Sequence, residues 1–120
     1  MKTFIKSCGY ALEGIKTAFR QESHMKIHVM MALCVVVCGM FFHITKIEWM
    51  ICLGLIALVI AMELMNTAIE ATVDLFTDQR HPLAKLAKDA AAGAVLVIAF
   101  GAAIIGLMIF IPYGIHFIFS

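Results

Sequence analysis

Several polar side chains interrupt the otherwise apolar segment MELMNTAIEATVD, residues 62–74. Glu63, Asn66, Thr67, Glu70 and Asp74 recur at intervals of three or four, and a helix turning about 100° per residue places them in one narrow stripe. A central acidic residue costs roughly 2.5–3.5 kcal/mol on membrane-insertion scales, so several on one apolar helix require a functional reason.

A second polar group opens the next apolar segment, HPLAKLAKDAAAGAV. Pro82 is typical of a helix start, and lysines and an aspartate occupy the first turns. Because the loop before it is short, this helix should begin beside the Asp74 end of the stripe, with Glu22 at the same membrane face. The predicted interfacial cluster comprises Glu22, Glu70, Asp74, Asp89, Lys85 and Lys88.

Carboxylates, an amide and lysines at a membrane surface suit phosphoryl transfer. Mg²⁺ prefers carboxylate and phosphate oxygens, and lysine neutralises phosphate charge. Glu63, deeper in its helix, could act as general base on a lipid hydroxyl. The sequence contains no G-x-x-x-x-G-K-[ST] loop and no protein-kinase signature, so ATP would bind in an unconventional way. A proton or cation pathway and a purely structural helix seam are the alternatives.

The amino-acid composition indicates that the chain lies in a membrane. Of 120 residues, 63% are hydrophobic and 14% are charged, which is too apolar for a soluble domain of this size. The formal charge of +1 and the scattered basic residues give no nucleic-acid-binding face. We therefore predict an all-α integral membrane protein with a single domain.

Four helical segments are predicted along the chain. Residues 1–24 alternate apolar with charged side chains, as in an amphipathic helix at the membrane surface. Spans follow at 28–45, 47–76 and 84–111, and Pro112 with Gly114 should end the last one. Basic residues concentrate before the first span and around the 77–88 loop. This distribution predicts a cytoplasmic N-terminus and loop in a multi-pass plasma (inner) membrane protein.

Histidine and cysteine spacing gives weaker signals. His24 and His28 lie four residues apart, which favours an interfacial pair over a zinc site, because further ligands are not evident nearby. The four cysteines contain no C-x-x-C pair and are expected to behave mainly as small apolar side chains.

Two motifs together resemble the small prokaryotic diacylglycerol kinases. They are ELMNTAIEATVDL and HPLAKLAKDAAAGAVLV, and the likeness extends from GYALEGIKTAFRQE through IFIP. Within that family, features such as IH at 27–28 and EW at 48–49 resemble the Gram-positive branch. The resemblance implies a homotrimeric membrane enzyme that transfers the γ-phosphoryl of Mg·ATP to undecaprenol. The Gram-negative branch phosphorylates diacylglycerol instead, and that substrate is the alternative.

The resemblance also implies residue roles. Glu63 matches the proposed catalytic base and Asn66 lies beside it, while Asp74 supports the site. Glu22 and Glu70 match the acids that hold Mg²⁺ on the nucleotide. The remaining positions that match nucleotide contacts are Tyr10, Gln79, Arg80, His81, Lys88 and Asp89.

Two positions qualify these assignments. Tyr10 could equally be an interfacial aromatic anchor. His24 stands where relatives in the Gram-positive branch often carry asparagine, so no role follows for it. The tail after Pro112, YGIHFIFS, extends past the usual end of the family and is expected to lie against the membrane.

Overall fold

The computed structural model describes all 120 residues. It contains four helices and no strands. They are α1 (Lys2–Gln21), α2 (Ser23–Phe42), α3 (Lys46–Phe76) and α4 (Pro82–Phe119). The last three are long and apolar enough to cross a membrane. The all-α prediction with three candidate spans is therefore confirmed.

A single extended residue separates α1 from α2. Glu22 has φ −106° and ψ 116°, and α2 begins directly after it at Ser23 rather than at the predicted residue 28. Backbone in this region cannot continue a helix. The chain therefore changes direction at a residue that carries a carboxylate.

A tight turn joins α2 to α3. His43 adopts the left-handed conformation (φ 51°) after α2, and Thr45 starts α3 with a reciprocal capping box. The Thr45 hydroxyl accepts from the Glu48 amide at 3.2 Å, and the Glu48 carboxylate accepts from the Thr45 amide at 2.9 Å. Two otherwise unpaired amides at the helix start are thereby satisfied.

Gly39 allows α2 to approach Trp49 on α3. A Cβ at Gly39 would lie 2.7 Å from Cη2 and 2.9 Å from Cζ2 of the Trp49 ring. We expect Gly39→Ala to destabilise the protein by about 1–3 kcal/mol through overpacking. Thermal unfolding of purified protein in detergent measures this loss.

Gly54 on α3 supplies the matched control, because nothing lies within 4 Å of a Cβ built there. Alanine at this helix-interior position should be neutral or stabilising, by up to about 1 kcal/mol. Equal melting temperatures for Gly39→Ala and Gly54→Ala would contradict the packing role of Gly39.

The expected helix end at Pro112 is wrong. α4 passes through Pro112 and Gly114 and continues to Phe119, and no glycine has a positive φ. Proline removes one helical hydrogen bond, but contacts beyond it hold the chain. The Tyr113 ring stacks on Phe42 at 5.8 Å, and Phe117 packs edge-on against Phe41 at 5.4 Å. The Tyr113 hydroxyl also donates to Glu48.

The helices leave much of their surface uncovered. Nine of the 120 residues are buried, and long apolar side chains on every helix face outward. Such a surface must be covered by lipid or by other protein. Against that background, the two buried polar residues, Glu63 and Asn66, are the exception that requires explanation.

Candidate functional site

Glu63 is the most deeply buried side chain of the molecule. It is 2% exposed, and its Oε1 has no hydrogen-bond partner. Asn66, one turn later, is 7% exposed, and its Oδ1 is also unpartnered. Leaving buried oxygens unpaired costs about 1–3 kcal/mol each, and more for a charged group. Both atoms are therefore candidates to bind a proton donor or a cation.

Helical spacing connects these residues to Glu70. The Asn66 Nδ2 donates to Glu70 Oε1 at 3.4 Å, and the Thr67 hydroxyl donates to the Glu63 carbonyl at 3.0 Å. Both pairs are four residues apart, as expected for neighbours on one helix face. Within the predicted stripe on α3, Asn66 and Glu70 are thus joined through their side chains, and Thr67 is joined to the backbone of Glu63.

Residues from the α1–α2 joint and from α2 close over Glu63. His28 Nε2 lies 3.4 Å from Glu63 Oε2, with the histidine side chain 16% exposed. Donor atoms of Glu22, His24 and Glu63 all lie within 4.8 Å of one another. We call Glu22, His24, His28, Glu63 and Asn66 the acidic centre.

A groove of about 760 Å³ lies around the loop between α3 and α4. Lys88 Nζ lies 2.6 Å from Asp74 Oδ1 and links the two helices, while Lys85 Nζ pairs with Asp89 Oδ2 at 2.5 Å. These pairs are exposed to water, which screens their charges, so neither contributes much to the stability of the fold. We call this the loop groove; its charged and polar lining comprises Asp74, Thr77, Asp78, Gln79, Arg80, His81, Lys85, Lys88 and Asp89.

The loop groove keeps its shape through local caps. The Leu83 amide donates to His81 Nδ1 at 3.1 Å at the start of α4, and Pro82 occupies the first turn. The Gln79 amide donates to the Thr77 hydroxyl at 3.1 Å. His81 therefore has a capping function in addition to its predicted contact with nucleotide.

The residues of the predicted interfacial cluster are divided between the acidic centre and the loop groove. Asp74, Lys85, Lys88 and Asp89 line the loop groove, as do Gln79, Arg80 and His81. Glu22 is not part of that lining and lies against Glu63 instead, because the one-residue joint directs it to α3. Glu70 contacts Asn66 and lies between the acidic centre and the loop groove along α3. Tyr10 is 69% exposed on α1 and lines neither.

His28 is the residue that sequence reasoning missed. Its contact with Glu63 joins residues on different helices, and no spacing along one helix indicates it. In the sequence, His28 is marked only by its polarity next to an apolar run and by its spacing of four residues from His24. The structure adds that both histidines approach Glu63.

The fold and the site together define a class of protein. Three helices able to cross a membrane bury a carboxylate and an amide, and an open groove lined by charged groups surrounds the loop between α3 and α4. This is a membrane protein with a polar reaction or transport site. The chain belongs to the prokaryotic diacylglycerol kinase family, whose sequence model matches residues 9–110.

Individual relatives support the same membership. An undecaprenol kinase of Bacillus subtilis (strain 168) is 50% identical over 93% of this chain and 91% of its own length. A diacylglycerol kinase of Synechocystis is 38% identical over 86% of this chain, which spans 59% of that relative. One from Haemophilus influenzae is 34% identical over 78% of this chain and 79% of its own. The resemblance is confirmed, and the chain is a multi-pass membrane lipid kinase of this family.

Proposed function

We propose that this chain transfers the γ-phosphoryl group of Mg·ATP to undecaprenol, giving undecaprenyl phosphate. The observation that carries the choice of lipid is the 50% identity, over nearly the whole chain, to a protein named undecaprenol kinase. Relatives named diacylglycerol kinase are 38% and 34% identical, so diacylglycerol is the second candidate.

Glu63 is the proposed general base. Its buried Oε1 has no partner and is free to accept the proton of the lipid hydroxyl. The lipid oxygen then attacks the γ-phosphorus, the bond to the ADP oxygen breaks, and the proton remains on Glu63. Asn66 holds Glu70 through its Nδ2 and keeps Oδ1 available beside the reacting groups.

The loop groove is the proposed nucleotide site. Arg80, Lys85 and Lys88 line one opening, and each can pair with a phosphate oxygen of ATP in exchange for the aspartates that line the same opening. Because the Lys88–Asp74 pair is partly exposed, little free energy is lost when Lys88 releases the aspartate and binds a phosphate instead. Before nucleotide binds, Asp74 holds Lys88 at the groove. The remaining proposed contacts are Gln79, His81, Asp89 and, from α1, Tyr10.

The residues present fit Mg²⁺. Glu22, Glu63 and Glu70 offer carboxylate oxygens, and the buried Glu63 Oε1 and Asn66 Oδ1 accept no hydrogen bond. Oxygen atoms of this kind are the ligands that Mg²⁺ prefers. Glu22 and Glu70 are the proposed ligands. When bound, the ion would neutralise charge on the phosphate oxygens of ATP.

We further propose a homotrimer in the plasma (inner) membrane, with the N-terminus, the amphipathic surface helix α1 and the loop groove on the cytoplasmic side. The largely uncovered apolar helix surfaces support association, and the basic residues before α2 and around the loop support the orientation. Chemical crosslinking in native membranes tests the number of subunits.

Kinetics on the two lipids test the proposed reaction. Purified protein should phosphorylate undecaprenol with a kcat/KM at least about tenfold above that for diacylglycerol, a difference of about 1.4 kcal/mol in transition-state free energy. The reverse ratio would assign the enzyme to diacylglycerol. Failure to phosphorylate either lipid, with an ion flux in vesicles that Glu63→Gln removes, would favour an ion-conducting oligomer.

A further inference from the structure

The acidic centre contains a nitrogen ligand that Mg²⁺ does not need. Donor atoms of Glu22, His24 and Glu63 lie within 4.8 Å of one another, and they come from the joint, from α2 and from α3. Glu63 is 2% exposed and has an oxygen with no partner. The cluster therefore includes a buried side chain whose hydrogen bonding is incomplete.

The chemistry of these donors favours a first-row transition cation. Mg²⁺ selects oxygen ligands, whereas imidazole suits zinc and its neighbours. Zinc sites that keep one position open commonly use three protein ligands drawn from histidine and carboxylates. Donors around a tetrahedral zinc ion lie about 3.3 Å apart, given zinc–ligand distances of about 2.0–2.1 Å. His24 is exposed and can rotate to close the remaining gap.

We propose that Glu22, His24 and Glu63 form a Zn²⁺-binding site, and that zinc bound there inhibits phosphoryl transfer. Zinc would take the Glu63 carboxylate as a ligand, so that carboxylate could no longer accept the proton of the lipid hydroxyl. It would also occupy Glu22 in competition with magnesium. The binding site stands on the geometry alone, whereas the inhibition rests on the proposed function of Glu63.

Direct binding provides the first test, independent of activity. Isothermal titration of Zn²⁺ into the purified protein without nucleotide should show saturable binding, and Co²⁺ at the same site should give the visible absorption bands of a tetrahedral complex. His24→Gln should weaken zinc affinity at least about tenfold, a change of about 1.4 kcal/mol. Equal affinity of wild type and His24→Gln would overturn the proposed site.

Two control variants separate this site from other zinc ligands. His116→Gln removes an exposed histidine near the end of α4 and should leave zinc affinity unchanged. Cys34 and Cys38 are exposed and four residues apart on α2, so Cys34→Ser/Cys38→Ser tests a thiolate site. Loss of zinc binding in the cysteine variant, with retention in His24→Gln, would overturn the proposal.

Inhibition provides the second test. Lipid phosphorylation is measured at fixed Mg·ATP with buffered free Zn²⁺, and each variant is compared with its own rate without zinc. The wild-type rate should fall with the same concentration dependence as zinc binding, and the curve for His24→Gln should shift at least about tenfold to higher zinc. Saturable binding without inhibition would overturn the inhibitory role. Absence of any kinase activity would instead refute the proposed function, while the binding result still decides the site.

Discussion

Glu63→Gln should reduce kcat for lipid phosphorylation by roughly 100- to 10,000-fold, the usual contribution of a general base. The amide occupies nearly the same volume in the buried position but cannot accept the lipid proton. Binding of Mg·ATP should be largely unchanged, because most of the proposed nucleotide contacts line the loop groove and Glu63 itself is not one of them. Turnover with undecaprenol and equilibrium binding of an ATP analogue measure the two effects separately.

Glu70→Gln provides the matched comparison on the same face of α3. Glu70 follows Glu63 by two helical turns, about 10.5 Å along the axis, and is a proposed ligand of the ion on the nucleotide. This variant should weaken Mg·ATP binding by about tenfold or more. If Glu63→Gln weakens nucleotide binding while Glu70→Gln spares it, the proposed division of roles is refuted.

His28→Leu should lower kcat by up to roughly 100-fold, the loss that a displacement of about 1 Å can cause. The Nε2 of His28 lies 3.4 Å from Glu63 Oε2, and both side chains are shielded from water. We infer that His28 is a positioning residue, which fixes the carboxylate of the proposed base without touching the lipid. The KM for Mg·ATP should not change, because His28 lies outside the loop groove.

His28→Gln separates positioning from packing. Its amide N–H reaches about as far as the imidazole Nε2 and should restore most of the rate lost in His28→Leu. Melting temperatures of the two variants in detergent show whether the fold is equally intact. A rate equally low in both folded variants, or a loss confined to KM for Mg·ATP, would contradict the positioning role.

The stripe on α3 and the lining of the loop groove were predictable because they depend on local geometry. Asn66 and Glu70 are four residues apart on one helix, and that spacing alone brings them together. The lysines and acids of the groove lie within one turn or two of a short loop, so few arrangements are available. The lengths of the apolar segments likewise predicted three candidate spans.

Contacts between separate helices were not predictable from spacing. Glu22 reaches Glu63 because its own backbone is extended at the end of α1. The contact of His28 depends on the rotation of α2 against α3. The passage of α4 through Pro112 depends on Phe42 and Glu48, which lie far away in sequence. Local propensity gave the wrong result at Pro112 because tertiary contacts outweigh it.

The single-residue joint at Glu22 limits how the chain length can vary. One inserted residue there would advance α2 by about 1.5 Å and turn it by about 100° relative to α1, if the helix absorbed it. Such a change would carry Glu22 and His24 away from Glu63 while leaving every side chain chemically intact. A homologue with an insertion or deletion at this position would need a different constellation of ligands, even if each motif on α3 and α4 were preserved. The register between α1 and α2 is thus as much a part of the proposed site as the acids themselves.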